Sequence, residues 1–270
     1  MGSKETYSFE DFEKIIARLR AKDGCPWDQV QTHVSLRDGI IEEAYEVVDG
    51  IDTYQATGDD SNLCEELGDV LMQVVMHARI AEEEGRFTMA DVIRGISEKM
   101  IRRHPHVFGT AKADTPEEVL KNWEEIKQKE KHEETVTAGM KRVAKALPAN
   151  IRAAKVQKKA AKVGFDFEDY RQGAMKVEEE LGEVMEAAEK GTSEAVFEEF
   201  GDLMFSAVNL SRFFDVNVEN ALTNATEKFI NRFEYIERTA ERRGVNLKDM
   251  TIQEMDELWS EIKHLKDRDV

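Results

Sequence analysis

A chain of 270 residues, 41% hydrophobic and without an apolar run near twenty residues, is long enough for two helical cores and carries no membrane-spanning segment. Its formal net charge of −18 repels phosphate at long range, which excludes a general nucleic-acid or anionic-membrane surface but not a small polyphosphate held through a cation. Cys25 and Cys64 stand in no metal-ligand spacing and read as reduced thiols, and no signal-peptide pattern opens the chain, so a cytoplasmic protein is expected.

Four prolines, apolar residues at three-and-four spacing and no sustained alternation predict an all-α fold. Helices are expected over 8–21 behind Ser8, then 35–56 and 61–84. The turn Gly24-Cys25-Pro26-Trp27-Asp28 separates the first two, and Cys25-Pro26-Trp27 is expected to anchor it. A helix over 88–102 starts at a capping-box pattern, Thr88 to Asp91, and one over 115–131 has Pro116 at its first position. Residues 129–150 are charged, carry Gly139 and Pro148, and lack a strong apolar stripe. Helices follow over 150–162, 168–190, 193–214, 217–243 and 251–268, the last behind Thr251 to Glu254. This divides the chain into domains at 1–130 and 150–270 with a linker at 131–149.

An acidic pattern is written once in each half. The first copy reads Glu42-Glu43-Ala44-Tyr45-Glu46 and then Glu65-Glu66-Leu67-Gly68-Asp69; the second reads Glu179-Glu180-Leu181-Gly182-Glu183 and then Glu198-Glu199-Phe200-Gly201-Asp202. Carboxylates three apart on a helix can reach one ion, and hard oxygen ligands suit Mg²⁺, with Mn²⁺ as a substitute. A lone Glu-x-x-Glu reads as a solvated helix face, whereas the doubled set, flanked by Val70-Leu71-Met72 and Leu203-Met204-Phe205, turns its aspartates toward the core side, where burial without a cation is costly.

The repeat extends further. Glu98-Lys99-Met100-Ile101-Arg102-Arg103 corresponds to Glu227-Lys228-Phe229-Ile230-Asn231-Arg232, and Trp123-Glu124-Glu125-Ile126-Lys127 to Trp259-Ser260-Glu261-Ile262-Lys263. Lys99 with Arg103, and Lys228 with Arg232, lie at i, i+4 and offer cations for phosphate oxygens; each tryptophan can stack on a base. The same cations also read as ordinary salt-bridge partners, and the tryptophans as core residues.

With these residues the sequence resembles the MazG family of bacterial nucleoside triphosphate pyrophosphohydrolases across nearly its full length. The likeness rests on Gly24 to Asp28, the doubled acidic pattern, Glu227-Lys228-Phe229-Ile230-Asn231-Arg232-Phe233 and Val163-Gly164-Phe165-Asp166. It implies tandem all-α domains with four-helix-bundle-type cores, a homodimer, Mg²⁺ dependence, and hydrolysis of NTPs and dNTPs to NMP and pyrophosphate for house-cleaning or nucleotide-pool control. It further implies metal ligands at Glu180, Glu183, Glu199 and Asp202, with Glu43, Glu46, Glu66 and Asp69 as their first-domain equivalents. Nucleotide contacts are implied at Lys176, Lys228, Arg232, Trp259 and Lys263, and at Lys99, Arg103, Trp123 and Lys127. Lys176 aligns with Gly39, so the first site lacks one cation, and Ala195 stands where some family members carry a lysine.

Water is expected to attack the α-phosphorus, with Glu42 or Glu179 as base or orienter. Two other readings stand beside this one. A non-catalytic nucleotide sensor needs the same ligands. A di-iron bundle needs paired Glu-x-x-His, and only Glu261 with His264 has that spacing. No P-loop is present, and His104-Pro105-His106 reads as a surface turn.

Overall fold

The computed structural model describes residues 6–131 and 135–266, so residues 132–134 of the expected linker and the side chain of His264 lie outside the described part. Two compact units divide the chain, residues 1–130 and 131–270. The described residues form helices and no strands, as composition and periodicity predict. None of these helices is long and apolar enough to cross a membrane.

In the first unit α1 (Phe9–Arg20) starts at Ser8, whose hydroxyl accepts from the Asp11 N–H while the Asp11 carboxylate accepts from the Ser8 N–H. A short α2 (Pro26–Gln29) follows, then the long pair α3 (Arg37–Thr57) and α4 (Ser61–Glu83), which pack on each other as a hairpin. Gly58, at φ 78°, closes α3 in the left-handed conformation that glycine adopts without strain. The hairpin needs a second glycine: a Cβ on Gly50 would fall 2.9 Å from the Leu63 Cα, so the two backbones approach closely only because none is there.

Ile16 of α1 packs with Leu36 and with Val75, Met76 and Ile80 of α4 to form this unit's core. Each such side chain contributes about 1.5–3 kcal/mol on burial. The 24–28 turn is held by Arg20, whose guanidinium donates to the carbonyls of Asp28 at 2.6 Å and Gln31 at 3.1 Å and pairs with Glu83 at 2.8 Å. Trp27, expected to help anchor the turn, is instead 64% exposed, because the buried arginine does that work through backbone oxygens. The unit closes with α5 (Met89–Arg103), α6 (Pro105–Phe108) and α7 (Pro116–Lys131). The Thr88 to Asp91 capping box opens α5.

The second unit repeats the plan. Between residues 135 and 149 lies α8 (Val136–Lys141), which packs on α9 (Ala149–Ala161) and buries Gly139. The hairpin of α10 (Tyr170–Lys190) and α11 (Ser193–Arg212) follows, opened by the Asp169 and Thr192 caps. After it come α12 (Val218–Arg243), a single 3₁₀ turn and α13 (Ile252–Lys266). Ile236 and Ala240 of α12 and Leu258 of α13 are buried where these two helices pack.

Candidate metal centre and adjoining cleft

The α3–α4 hairpin brings the first acidic pattern together: ligand oxygens of Glu43, Glu46 and Glu66 lie within 4.8 Å of one another. Burial raises the Glu43 carboxyl above its ordinary range; a hydrogen bond from Gln73 opposes this, and the charges of Asp69 and Glu46 add to it. Glu46 is raised by lost hydration and by the charge of Glu66. In the second unit Glu180, Glu199 and Asp202 likewise gather within 4.8 Å. Glu183 is raised by lost hydration and by the charges of Glu180 and Glu199. Each hairpin therefore concentrates four mutually repelling carboxylates.

Glu180 is only 4% exposed, and its Oε2 has no protein partner. Its other oxygen accepts from Lys176 Nζ at 2.6 Å, and the same ammonium donates to Glu179 at 2.8 Å. Hydrogen bonds to Glu179 and Glu180 raise the lysine above its ordinary value. A buried carboxylate oxygen without a donor, inside an all-oxygen cluster, is costly unless a cation meets it. The residues fit a hard divalent ion.

The first unit handles the equivalent glutamate differently. Gly39 stands at the Lys176 position, and Gln73 Nε2 donates to Glu43 at 3.5 Å. A Cβ on Gly39 would lie 3.1 Å from that amide, so a side chain at position 39 and Gln73 compete for one space.

In each unit one arginine and one tryptophan of the expected set come together. Arg103 lies 5.1 Å over the Trp123 ring and donates to Glu130 at 2.5 Å, while His104 meets the same ring edge-on at 5.0 Å. Arg103 thus has the salt-bridge partner that the plainer reading foresaw. Hydrogen bonds from Arg103 and Arg102 hold Glu130 down to about 2. Arg232 lies 5.2 Å over the Trp259 ring, which also contacts Phe229 at 5.3 Å. His104 is half-buried against Trp123, not part of a free surface turn. Lys127 sits 3.7 Å from Glu124, and Lys228 and Lys263 are exposed. Lys99, half-buried on α5, lies one turn before Arg103. Glu42 on α3 is exposed, as is Glu179 on α10.

Beside the second cluster opens a cleft of about 510 Å³, lined by Lys176, Glu180 and Asp202 and, among its apolar walls, by Phe165, Phe167 and Phe205. Trp259, Lys228, Arg232 and Lys263 do not line it. Two lining residues that the sequence does not advertise are Gln157 of α9 and Asn209 of α11. Isolated amides match no motif; the one available signal is that Asn209 falls in the α11 register seven residues after Asp202.

Comparison with known proteins adds four findings. The family model described as the MazG nucleotide pyrophosphohydrolase domain matches the chain twice, at residues 31–108 and 161–236. The "Nucleoside triphosphate pyrophosphohydrolase/pyrophosphatase MazG" of Thermotoga maritima is 46% identical over 94% of this chain and 95% of its own length. The "Nucleoside triphosphate pyrophosphohydrolase" of Escherichia coli K12 is 42% identical over 92% of this chain and 94% of its own, and the "Uncharacterized protein YabN" of Bacillus subtilis is 49% identical over 97% of this chain and 53% of its own.

Proposed function

The chain belongs to the MazG family, and on that premise we propose that it is an enzyme that hydrolyses nucleoside triphosphates to the monophosphate and pyrophosphate. The observation that carries this reading is the pair of four-carboxylate hairpins, above all the buried Glu180 with its unpartnered oxygen. Glu180, Glu183, Glu199 and Asp202, and in the first unit Glu43, Glu46, Glu66 and Asp69, hold divalent ions, Mg²⁺ first and Mn²⁺ as its substitute. Bound there, such an ion neutralises phosphate charge and makes water a better nucleophile.

The protein's own groups do the rest. Lys176, at the mouth of the cluster, exchanges its bond to Glu179 for a phosphate oxygen and so frees that carboxylate. Water then attacks the α-phosphorus in line, the α–β bridging P–O bond breaks with its electrons leaving on pyrophosphate, and Glu179 takes the water's proton. Glu42 is its first-unit equivalent. Lys228, Arg232 and Lys263, and Lys99, Arg103 and Lys127, supply positive charge to the polyphosphate, with Trp259 and Trp123 orienting the arginine each stacks upon.

The enzyme works as a cytoplasmic homodimer. Ile41, Tyr45 and Val48 make an exposed apolar stripe on α3, and Phe197, Phe200 and Met204 make another on α11; stripes of this size favour a second copy.

Pyrophosphate release from an NTP panel with Mg²⁺ tests the reading, run on wild type, Glu43→Gln/Glu46→Gln and Glu180→Gln/Glu183→Gln. Loss of release in at least one double variant is expected. Wild-type protein that binds nucleotide yet releases no pyrophosphate would instead establish a nucleotide sensor.

A further inference from the structure

Glu130 of α7 holds two arginines of α5 at once. Arg103 donates to its Oε2 through Nη2 at 2.5 Å and through Nε at 3.0 Å, and Arg102 donates to its Oε1 through Nε at 2.5 Å. The side chains of Arg103 and Glu130 keep only 12% and 18% of their surface, so water screens this pair less than it screens an exposed one.

The placing of these bonds matters more than their number. The Nε–Nη2 edge of a guanidinium is suited to an oxyanion such as a phosphate, and in the first unit Glu130 already fills it. Trp123 and Glu130 stand seven apart on α7, two turns along one face. Arg103 is therefore fixed by the ring, 5.1 Å from its centroid, and by the carboxylate together. It cannot offer that edge to another anion without leaving Glu130.

The second unit keeps the stack and omits the clamp. Arg232 lies over Trp259, yet among the described residues it pairs with no carboxylate, and its Nε has no acceptor. In the register that pairs Trp123 with Trp259, Lys266 stands at the Glu130 position, and Asn231 corresponds to Arg102. A carboxylate is replaced by a cation, and one of its two arginines by a neutral amide. Seating an arginine on its tryptophan thus does not require the clamp.

We propose that Glu130 is a specificity-determining residue: its carboxylate takes the place of a substrate phosphate on Arg103, so that polyphosphate anions are held by the second unit in preference to the first. The inference rests on the pyrophosphohydrolase reading only in taking Arg103 and Arg232 as residues that meet polyphosphate. An anion entering the first unit competes with a carboxylate tethered to the same chain, at high effective concentration, and leaves that carboxylate without its donors. At Arg232 it displaces no such group.

Isothermal titration with inorganic pyrophosphate in excess Mg²⁺ tests this without turnover. The intact chain carries Glu180→Gln/Glu183→Gln, so that the first unit dominates binding. Adding Glu130→Gln should tighten the affinity about tenfold, the worth of one charge-assisted hydrogen bond. Glu125→Gln removes the same charge from an exposed position on α7 and should leave the affinity within about twofold. Glu130→Asp keeps the charge and draws the oxygens back by one methylene, and it decides the matter if the amide variant loses its melting transition: affinity above the parent's upholds the clamp. Unchanged or weaker binding in the folded Glu130 variants overturns the proposal and leaves Glu130 as a plain tie between α5 and α7. Tighter pyrophosphate binding in Glu130→Gln, where the wild type hydrolyses no NTP, upholds the clamp and removes the enzymatic reading; hydrolysis with unchanged pyrophosphate affinity does the reverse.

Discussion

Gln73 reaches across the first hairpin to Glu43, at 3.5 Å, and so answers the glutamate that in the second hairpin is answered by Lys176 from its own helix at 2.6 Å. The two repeats satisfy the equivalent carboxylate, half-buried in the first and buried in the second, from opposite partners, one neutral and one charged. Space bears on the choice, because a Cβ at position 39 would stand 3.1 Å from the Gln73 amide, which must then give way by a few tenths of an ångström. Gly39→Lys should therefore lower the melting temperature, at a cost of about 1–3 kcal/mol for overpacking. Adding Gln73→Ser should recover most of the loss, and a double-mutant cycle by thermal melting measures that coupling.

Lys176→Met should leave the fold intact, since the side chain is one-third exposed, but should reduce kcat/KM for nucleotide by about 10- to 100-fold. Uncovering Glu180 also sharpens the need for a cation, so the variant should show a steeper dependence of melting temperature on Mg²⁺. Unchanged steady-state kinetics would remove Lys176 from the proposed site.

The clustered carboxylates repel one another in metal-free protein, and neutralising them relieves that repulsion. Glu43→Gln/Glu46→Gln should melt higher than wild type in EDTA. Wild type should overtake it in excess Mg²⁺, by about 2.7 kcal/mol when the ion stands a hundredfold above its Kd. Calorimetry with and without EDTA checks both halves; a variant less stable under both conditions would speak against a metal centre.

His33 and His77 stack at 5.1 Å with their Nδ1 atoms 2.8 Å apart, tying the segment before α3 to α4. Burial, and then the charge of His33, lowers the His77 pKa below its ordinary 6.5. The unfolded chain thus binds a proton at position 77 more readily than the folded one, so the contribution of neutral His77 is complete above about pH 6.5 and is lost as pH falls below it. Melting temperatures between pH 7.5 and 5.5 should fall more steeply for wild type than for His77→Gln.

Much of this architecture is legible in the sequence, because capped amphipathic helices declare themselves locally. Ser8 with Asp11, Thr88 with Asp91 and Thr251 with Glu254 all form the reciprocal hydrogen bonds that their spacing announces. The acidic clusters are legible for the same reason: their carboxylates recur at helical intervals, and the recurrence is doubled. Gln157 and Asn209 are not, since an amide gains meaning only when packing strips away its water and uses up one end of it. Helix α8 escapes notice because six residues with a buried glycine make no periodic signal; it forms by leaning on α9. Arg20, the most constrained cation of the first unit, resembles any surface arginine until the 24–28 turn closes over it.

The unequal repeats also carry an evolutionary consequence. Met76, the counterpart of Asn209, is 4% exposed within the first unit's apolar core. Restoring an asparagine there would put an amide among Ile16, Val75 and Ile80, and restoring the lysine would need Gly39 and Gln73 to change together. Each such change disturbs contacts that already hold the first hairpin together, so the divergence of the two copies works as a ratchet.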